Sequence, residues 1–188
     1  MPYFNSYLQL IKSTDKVVDL GCGATPSPRA NVIVDLFVDD DTQRGGASMQ
    51  SVKNDPRLVI ADVCNLPFKD KEFDFSIAGH IAEHVEDPNL FCKEVIRISK
   101  TGYIESPSRL QEIIAGHLFH KWIIEVENNK LIFIKKHPFF DTLQDLNNFN
   151  RRGANKRWWE NFFWNYSEML HTCFYWQDGF EWEIRDFC

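Results

Sequence analysis

Asp19, Gly21 and Gly23 close a short apolar run, Lys16-Val17-Val18-Asp19-Leu20, and Asp35 closes the next, Val32-Ile33-Val34-Asp35. Asp62 ends a third run, Leu58-Val59-Ile60-Ala61-Asp62, and Gly79 and His80 follow a fourth, Phe73-Asp74-Phe75-Ser76-Ile77-Ala78. Glu105, Ser106 and Pro107 follow a fifth, Gly102-Tyr103-Ile104. Glycines at such places let a ligand approach the backbone. An acid at the end of a second strand accepts the hydroxyls of a ribose. A histidine titrates in the range that suits proton transfer near neutral pH. These residue types, so spaced, could capture a nucleoside-like ligand beside a proton-transfer group.

The ligand class narrows further. A dinucleotide site calls for G-x-G-x-x-G opening a helix that faces a pyrophosphate. Here the run is Gly21-Cys22-Gly23-Ala24-Thr25-Pro26, without the third glycine. Pro26 and Pro28 prevent a regular helix directly after the turn. Asp19 would set a negative charge beside any pyrophosphate, and suits instead a ligand with an ammonium group and a ribose. S-adenosylmethionine has both and carries no phosphate.

The elements that must position these residues are short apolar strands alternating with connecting segments, which imply a parallel sheet with helices on its faces. Residues 3–11 have apolar positions at helical intervals, and the spacing predicts a helix over 89–99. Between the first two strands lie only residues 24–31, so that crossover is expected to be a loop or a single helical turn. Residues 121–136 read as two β-rich runs around Asn128-Asn129, a hairpin. Phe174-Tyr175-Trp176 and Phe180-Glu181-Trp182-Glu183-Ile184 flank Gln177-Asp178-Gly179 and read as a second hairpin. Residues 141–150 and 157–170 read as helical. The fold class is α/β, with a mostly parallel central sheet and antiparallel hairpins on its C-terminal side, in one domain over 1–188.

Val18-Asp19-Leu20-Gly21-Cys22-Gly23 resembles the first motif of class I S-adenosylmethionine-dependent methyltransferases. Ala61-Asp62-Val63-Cys64-Asn65-Leu66-Pro67-Phe68, Phe73-Asp74-Phe75 and Glu83-His84-Val85-Glu86-Asp87-Pro88 resemble the type-11 branch in order and spacing. The resemblance implies a Rossmann-like sandwich, with residues 15–110 as the cofactor-binding half and 111–188 as acceptor-side elements. It implies S-adenosylmethionine as methyl donor and S-adenosylhomocysteine as product. It implies that Gly21 and Gly23 pass under the methionine moiety near Asp19, and that Asp35 holds the ribose. It further implies that Asp62 and the Val63 amide meet the adenine and that Gly79 lies at the methionyl end. The Pro-containing crossover, with Arg44-Gly45-Gly46 beyond it, is similar to a subgroup associated with sugars and surface glycans. The expected reaction is therefore O-methylation of a sugar or glycan precursor. Methylation of another small metabolite or lipid, or an inactive cofactor-binding partner subunit, are the alternatives.

Methyl transfer from a sulfonium is an in-line displacement that gains much of its rate from alignment, and a hydroxyl acceptor must also lose a proton. His80, just after the fourth strand, is the expected base. His117 and His120, in the segment after the fifth strand, are further catalytic candidates, whereas His84 is expected to pack. Histidines and carboxylates crowd this rim (His80, Glu83, Glu105, His117, His120), but their spacing matches no familiar metal motif, and no metal is predicted. Arg151, Arg152, Lys156 and Arg157 form either a solvated loop or a clamp for an anionic acceptor.

Composition sets the outer bounds. The chain has 188 residues and a net charge of −6, without a long basic tract, so no nucleic-acid partner is expected. No apolar run is long enough for a membrane span. Residues 1–16 lack the layout of a secretory signal. The five cysteines include no CxxC pair, so they are read as reduced thiols of a cytoplasmic protein. All six Trp fall after position 120, on the side expected to shape the acceptor site, where Trp158, Trp164 or Trp176 could stack on a sugar ring.

Overall fold

Val17–Leu20 (β1) is buried along its whole length, as a strand covered on both faces must be. A computed structural model describes residues 6–40, 48–140, 161–162 and 165–187. Beside β1 lie Val32–Asp35 (β2) and Leu58–Ile60 (β3) on one side. Phe73–Gly79 (β4), Ser99–Pro107 (β5) and His171–Gln177 (β8) lie on the other. The sheet order is β3-β2-β1-β4-β5-β8, parallel except for β8, which runs antiparallel to β5. This is the α/β, mostly parallel arrangement expected from the sequence.

No helix joins β1 to β2. Residues 21–31 form turns, with the Ser27 amide donating to Asp19 Oδ2 (2.7 Å) and the Asn31 amide donating to the Val17 carbonyl (2.9 Å). The helix expected over 89–99 is Pro88–Ile98 (α1). Asp87 caps it by accepting from the Asn89 and Leu90 amides, and Pro88 sits at the first helical position, where its missing N–H costs nothing. The helix α1 buries Phe91, Cys92, Val95 and Ile98.

Arg109–Ala115 (α2), capped by Ser108, occupies the segment expected only to line the acceptor side. Trp122–Glu127 (β6) and Lys130–Lys135 (β7) form the expected hairpin. Asn128 and Asn129 both have positive φ (50° and 61°), as a two-residue hairpin turn with the strands' twist requires.

The second hairpin does not form. Glu181–Arg185 (β9) leaves β8 and pairs in parallel with β7, so β6-β7-β9 is a separate sheet. Two open edges explain the correction. β5 extends over nine residues and β7 over six, and each edge offers unpaired backbone groups that a neighbouring strand satisfies. Asp178 (φ 60°) and Gly179 (φ 126°) turn the chain from one sheet to the other.

One core joins the two sheets through α1. Val18, Leu20, Phe73, Phe91, Val95, Ile98 and Ile104 pack with Ile124, Leu131 and Phe133 of the second sheet. Trp176 lies in this core beside Phe180 and is 3% exposed, so it offers no stacking surface to a sugar. Trp122 donates its indole N–H to the Val85 carbonyl (2.8 Å), and Trp182 donates to Asn89 Oδ1 (3.0 Å). The second sheet is thereby bonded to the segment that leads into α1. Residues 141–160, 163 and 164 lie outside the described residues, and with them the helix expected over 141–150, part of the one over 157–170, the four cations of 151–157, and Trp158 and Trp164; Ser167–Leu170, at the end of that second stretch, is helical.

Candidate functional site

Parallel pairing brings the carboxyl ends of β1 to β5 to one edge of the sheet, where open α/β sheets bind ligands. At the end of β1, Gly21 (φ 66°) and Gly23 (φ 54°) take left-handed conformations. A Cβ on Gly21 would come within 2.7 Å of Ile81, so this position is closed by packing. A Cβ on Gly23 would meet nothing within 4 Å, and neither would one on Gly79. These two glycines therefore border open space at the strand ends.

Of the three acids expected here, Asp19 and Asp35 are buried. Asp35 Oδ2 accepts from the Gly23 amide (3.0 Å) and Oδ1 from the Phe37 amide (3.0 Å), which ties the end of β2 to the glycine turn. Burial pushes the Asp19 carboxyl up to about 7, against the lowering effect of the Ser27 amide and Arg57. Asp62 is exposed, holds the Cys64 amide at 2.8 Å, and stands beside buried Val63. Arg44, Gly45 and Gly46, the loop linked in sequence to the sugar-associated subgroup, lie outside the described residues.

His80 follows β4 in a left-handed conformation (φ 55°) that is unusual for a residue with a side chain. Its amide donates to the Glu105 carbonyl (2.8 Å), continuing the β4–β5 ladder. Its ring lies between two buried carboxylates: Nδ1 is 3.4 Å from Glu83 Oε1, and Nε2 is 3.4 Å from Glu105 Oε1. Tyr103 donates its hydroxyl to the other oxygen of Glu105. Burial opposes charge on the imidazole, but Glu105 and Glu83 outweigh it and push His80 up to about 10. Glu83 moves the other way, to about 2: burial opposes this, and His80 drives it. The role of base expected for His80 thus meets a ring that already holds its proton at neutral pH.

The other two catalytic candidates stand apart from this rim. His120 is buried, and its Nδ1 is 2.5 Å from Glu112 Oε1. Lys136 Nζ lies 3.7 Å from Glu112 Oε2 and donates to the His117 carbonyl. His117 stacks on Phe119 with ring centroids 4.8 Å apart, and His84 packs edge-on to His120 at 4.8 Å. Burial pulls His84 down to about 4. This group of rings is a packed wall behind Glu83, and the packing role expected for His84 is what the structure shows.

One residue of the rim escaped the sequence reading. His171 begins β8, and antiparallel pairing sets it opposite Pro107 at the end of β5. Its ring meets that of His80 edge-on, with centroids 5.3 Å apart. No local motif marks it. The only available signal was that a strand pairing backwards along β5 must start at the functional edge.

Residues 18–104 match the family model described as "Methyltransferase domain". Tocopherol O-methyltransferase from Arabidopsis thaliana is 31% identical over 100 residues, which is 48% of this chain and 29% of that protein. Demethylmenaquinone methyltransferase from Paenarthrobacter aurescens is 30% identical over 94 residues, which is 49% of this chain and 37% of that protein. The chain thus spans well under half the length of these curated relatives. Among solved structures, a putative methyltransferase from Bacillus halodurans aligns with a TM-score of 0.45 and 16% identity, covering 68% of this chain and 71% of that one.

Proposed function

Because residues 18–104 match the family model described as "Methyltransferase domain", we propose that this chain is an S-adenosylmethionine-dependent methyltransferase that methylates an oxygen of a small polar acceptor, a sugar or glycan precursor. The observation that carries this reading is the edge where the open glycine turn and the His80–Glu83–Glu105 rim meet.

The residues fit the donor. Gly23 and Gly79 leave space that any Cβ would fill. Buried Asp19 suits an ammonium group, and Asp35 and Asp62 present carboxylates for the ribose and adenine ends. S-adenosylmethionine, when bound, supplies an electrophilic methyl group on a sulfonium.

The chain's own part is to hold the acceptor and receive its proton. His80, Glu83 and Glu105 are close enough to share protons and titrate as a set. With the His80 ring already protonated, the proton leaving an acceptor hydroxyl goes to the Glu105 carboxylate. Tyr103 and His80 hold the Glu105 carboxylate in place for it. A polar rim of this kind supports a polar acceptor.

The relatives that act on tocopherol and demethylmenaquinone favour a second reading, a ring-hydroxylated lipid acceptor. Titration with S-adenosylhomocysteine followed by methyl-transfer assays on parallel panels of sugars and quinols tests both. Transfer to a sugar supports the first reading and transfer to a quinol the second. Binding without transfer to either would leave a cofactor-binding partner subunit, and no binding would sink all three.

A further inference from the structure

We propose that His80, Glu105 and His171 form a binding site for one divalent transition metal of the zinc class. One potential ligand atom from each of the three lies within 4.8 Å of the other two. His80 Nε2 and Glu105 Oε1 stand 3.4 Å apart. Ligands about 2.1 Å from a tetrahedral ion stand about 3.4 Å apart. A shift of the His171 ring by under about 2 Å reaches the same spacing.

Each ligand is also oriented from behind, as metal ligands are. His80 Nδ1 faces the buried Glu83 carboxylate and Nε2 faces Glu105, so an ion bound there displaces the Nε2 proton. The His171 Nδ1–H donates to the Ser167 carbonyl (2.9 Å), so the lone pair is on Nε2. Tyr103 occupies one oxygen of Glu105 and leaves the other toward His80. Two imidazoles and one carboxylate favour zinc, cobalt or iron(II) over magnesium or calcium. Three protein ligands leave a coordination position for water or substrate.

A second group, Glu83, His84 and His120, also places ligand atoms within 4.8 Å. Its side chains are 1%, 13% and 5% exposed, against 27% for His80. It lies behind the rim without the entry path that an ion requires, and Glu83 there serves as the support for His80.

The proposed ion would sit at the carboxyl ends of β4 and β5 and would polarise an acceptor hydroxyl held at its open position, lowering that hydroxyl's pKa. That use rests on the methyltransferase reading; the site itself does not.

The test is titration of the full chain with Co(II), followed by its visible absorption, and with Zn(II) by calorimetry. One equivalent should bind. Glu105→Gln and His171→Gln should each weaken binding by at least about 100-fold, and Tyr103→Phe by about 10-fold. His120→Gln should leave the stoichiometry and the spectrum unchanged. Circular dichroism and S-adenosylhomocysteine affinity, measured on each variant, separate lost ligation from lost folding. Absence of binding in the wild type would overturn the proposal, as would loss of binding in folded His120→Gln with retention in His171→Gln. A site that binds metal in a chain that does not bind S-adenosylhomocysteine would uphold the metal proposal and overturn the methyltransferase reading.

Discussion

The carboxylate of Asp35 accepts the amide of Gly23 at 3.0 Å, so the residue expected to hold a ribose also holds the glycine turn. Asp35→Ala removes acceptors from two backbone amides, those of Gly23 and Phe37. A fully buried donor left unmatched costs about 1–3 kcal/mol, and water reaching the half-exposed Phe37 lowers that cost there. We expect Asp35→Ala to lower both Tm and S-adenosylhomocysteine affinity. Asp35→Asn, which keeps one acceptor oxygen, should recover more of the stability than of the affinity. Calorimetry and thermal unfolding on the pair check this, and equal recovery of both would refute a ribose role.

Asp19 predicts a pH dependence. Burial lifts its folded pKa to about 7, above the ordinary value of 3.8. The native state therefore binds more protons than the unfolded state between these limits, and stability falls as pH rises through that window. The slope from this one group reaches about 1.4 kcal/mol per pH unit. Asp19→Asn should flatten the curve of unfolding free energy against pH between pH 4 and 7, as read from denaturant titrations. A cationic ligand should lower the Asp19 pKa, so its affinity should weaken as pH falls below 7. An affinity flat across that range would count against Asp19 as the ammonium partner.

The two glycines of the turn separate packing from binding. In Gly21→Ala the new methyl group lies within 2.8 Å of three Ile81 atoms, on a backbone with positive φ. Unfolding should be easier by more than the roughly 1–2 kcal/mol of a left-handed residue alone. In Gly23→Ala only the backbone cost applies, since the space is open. That variant should stay folded and lose S-adenosylhomocysteine binding. Undiminished binding would show that the ligand does not pass there.

His80 and His120, both catalytic candidates from the sequence, should behave differently. His80→Ala frees the Glu105 carboxylate that receives the proton and should reduce turnover by up to about 10²–10⁴-fold, the range for losing a positioned proton acceptor, with cofactor affinity kept. His120→Gln instead disturbs the buried contact with Glu112, which also faces Lys136. Breaking such a buried pair costs about 3–5 kcal/mol, so its principal effect should be a lower Tm. A folded His120→Gln enzyme with normal Tm and no turnover would restore His120 to the catalytic set.

Much of this architecture was legible locally. Runs such as Val32-Ile33-Val34 can hardly avoid being buried strands, and Pro26 and Pro28 exclude a helix between β1 and β2 wherever the chain goes next. Asn128-Asn129 encodes its own turn. The destination of β9 was not legible. Gln177-Asp178-Gly179 turns the chain in either topology, and the choice depended on which distant edge stood open. His171 was missed for the same reason. Its place beside His80 follows from β8 pairing with β5, a long-range register that no nearby residue announces.

The two indole hydrogen bonds, Trp122 to Val85 and Trp182 to Asn89, straddle the stretch that runs from Glu83 into α1. They equip the protein with an intrinsic optical reporter. Anything that shifts the loop behind His80 changes the polarity around two emitting side chains. Occupancy of the rim should therefore register in the protein's own ultraviolet emission, without a dye, a label or a known acceptor.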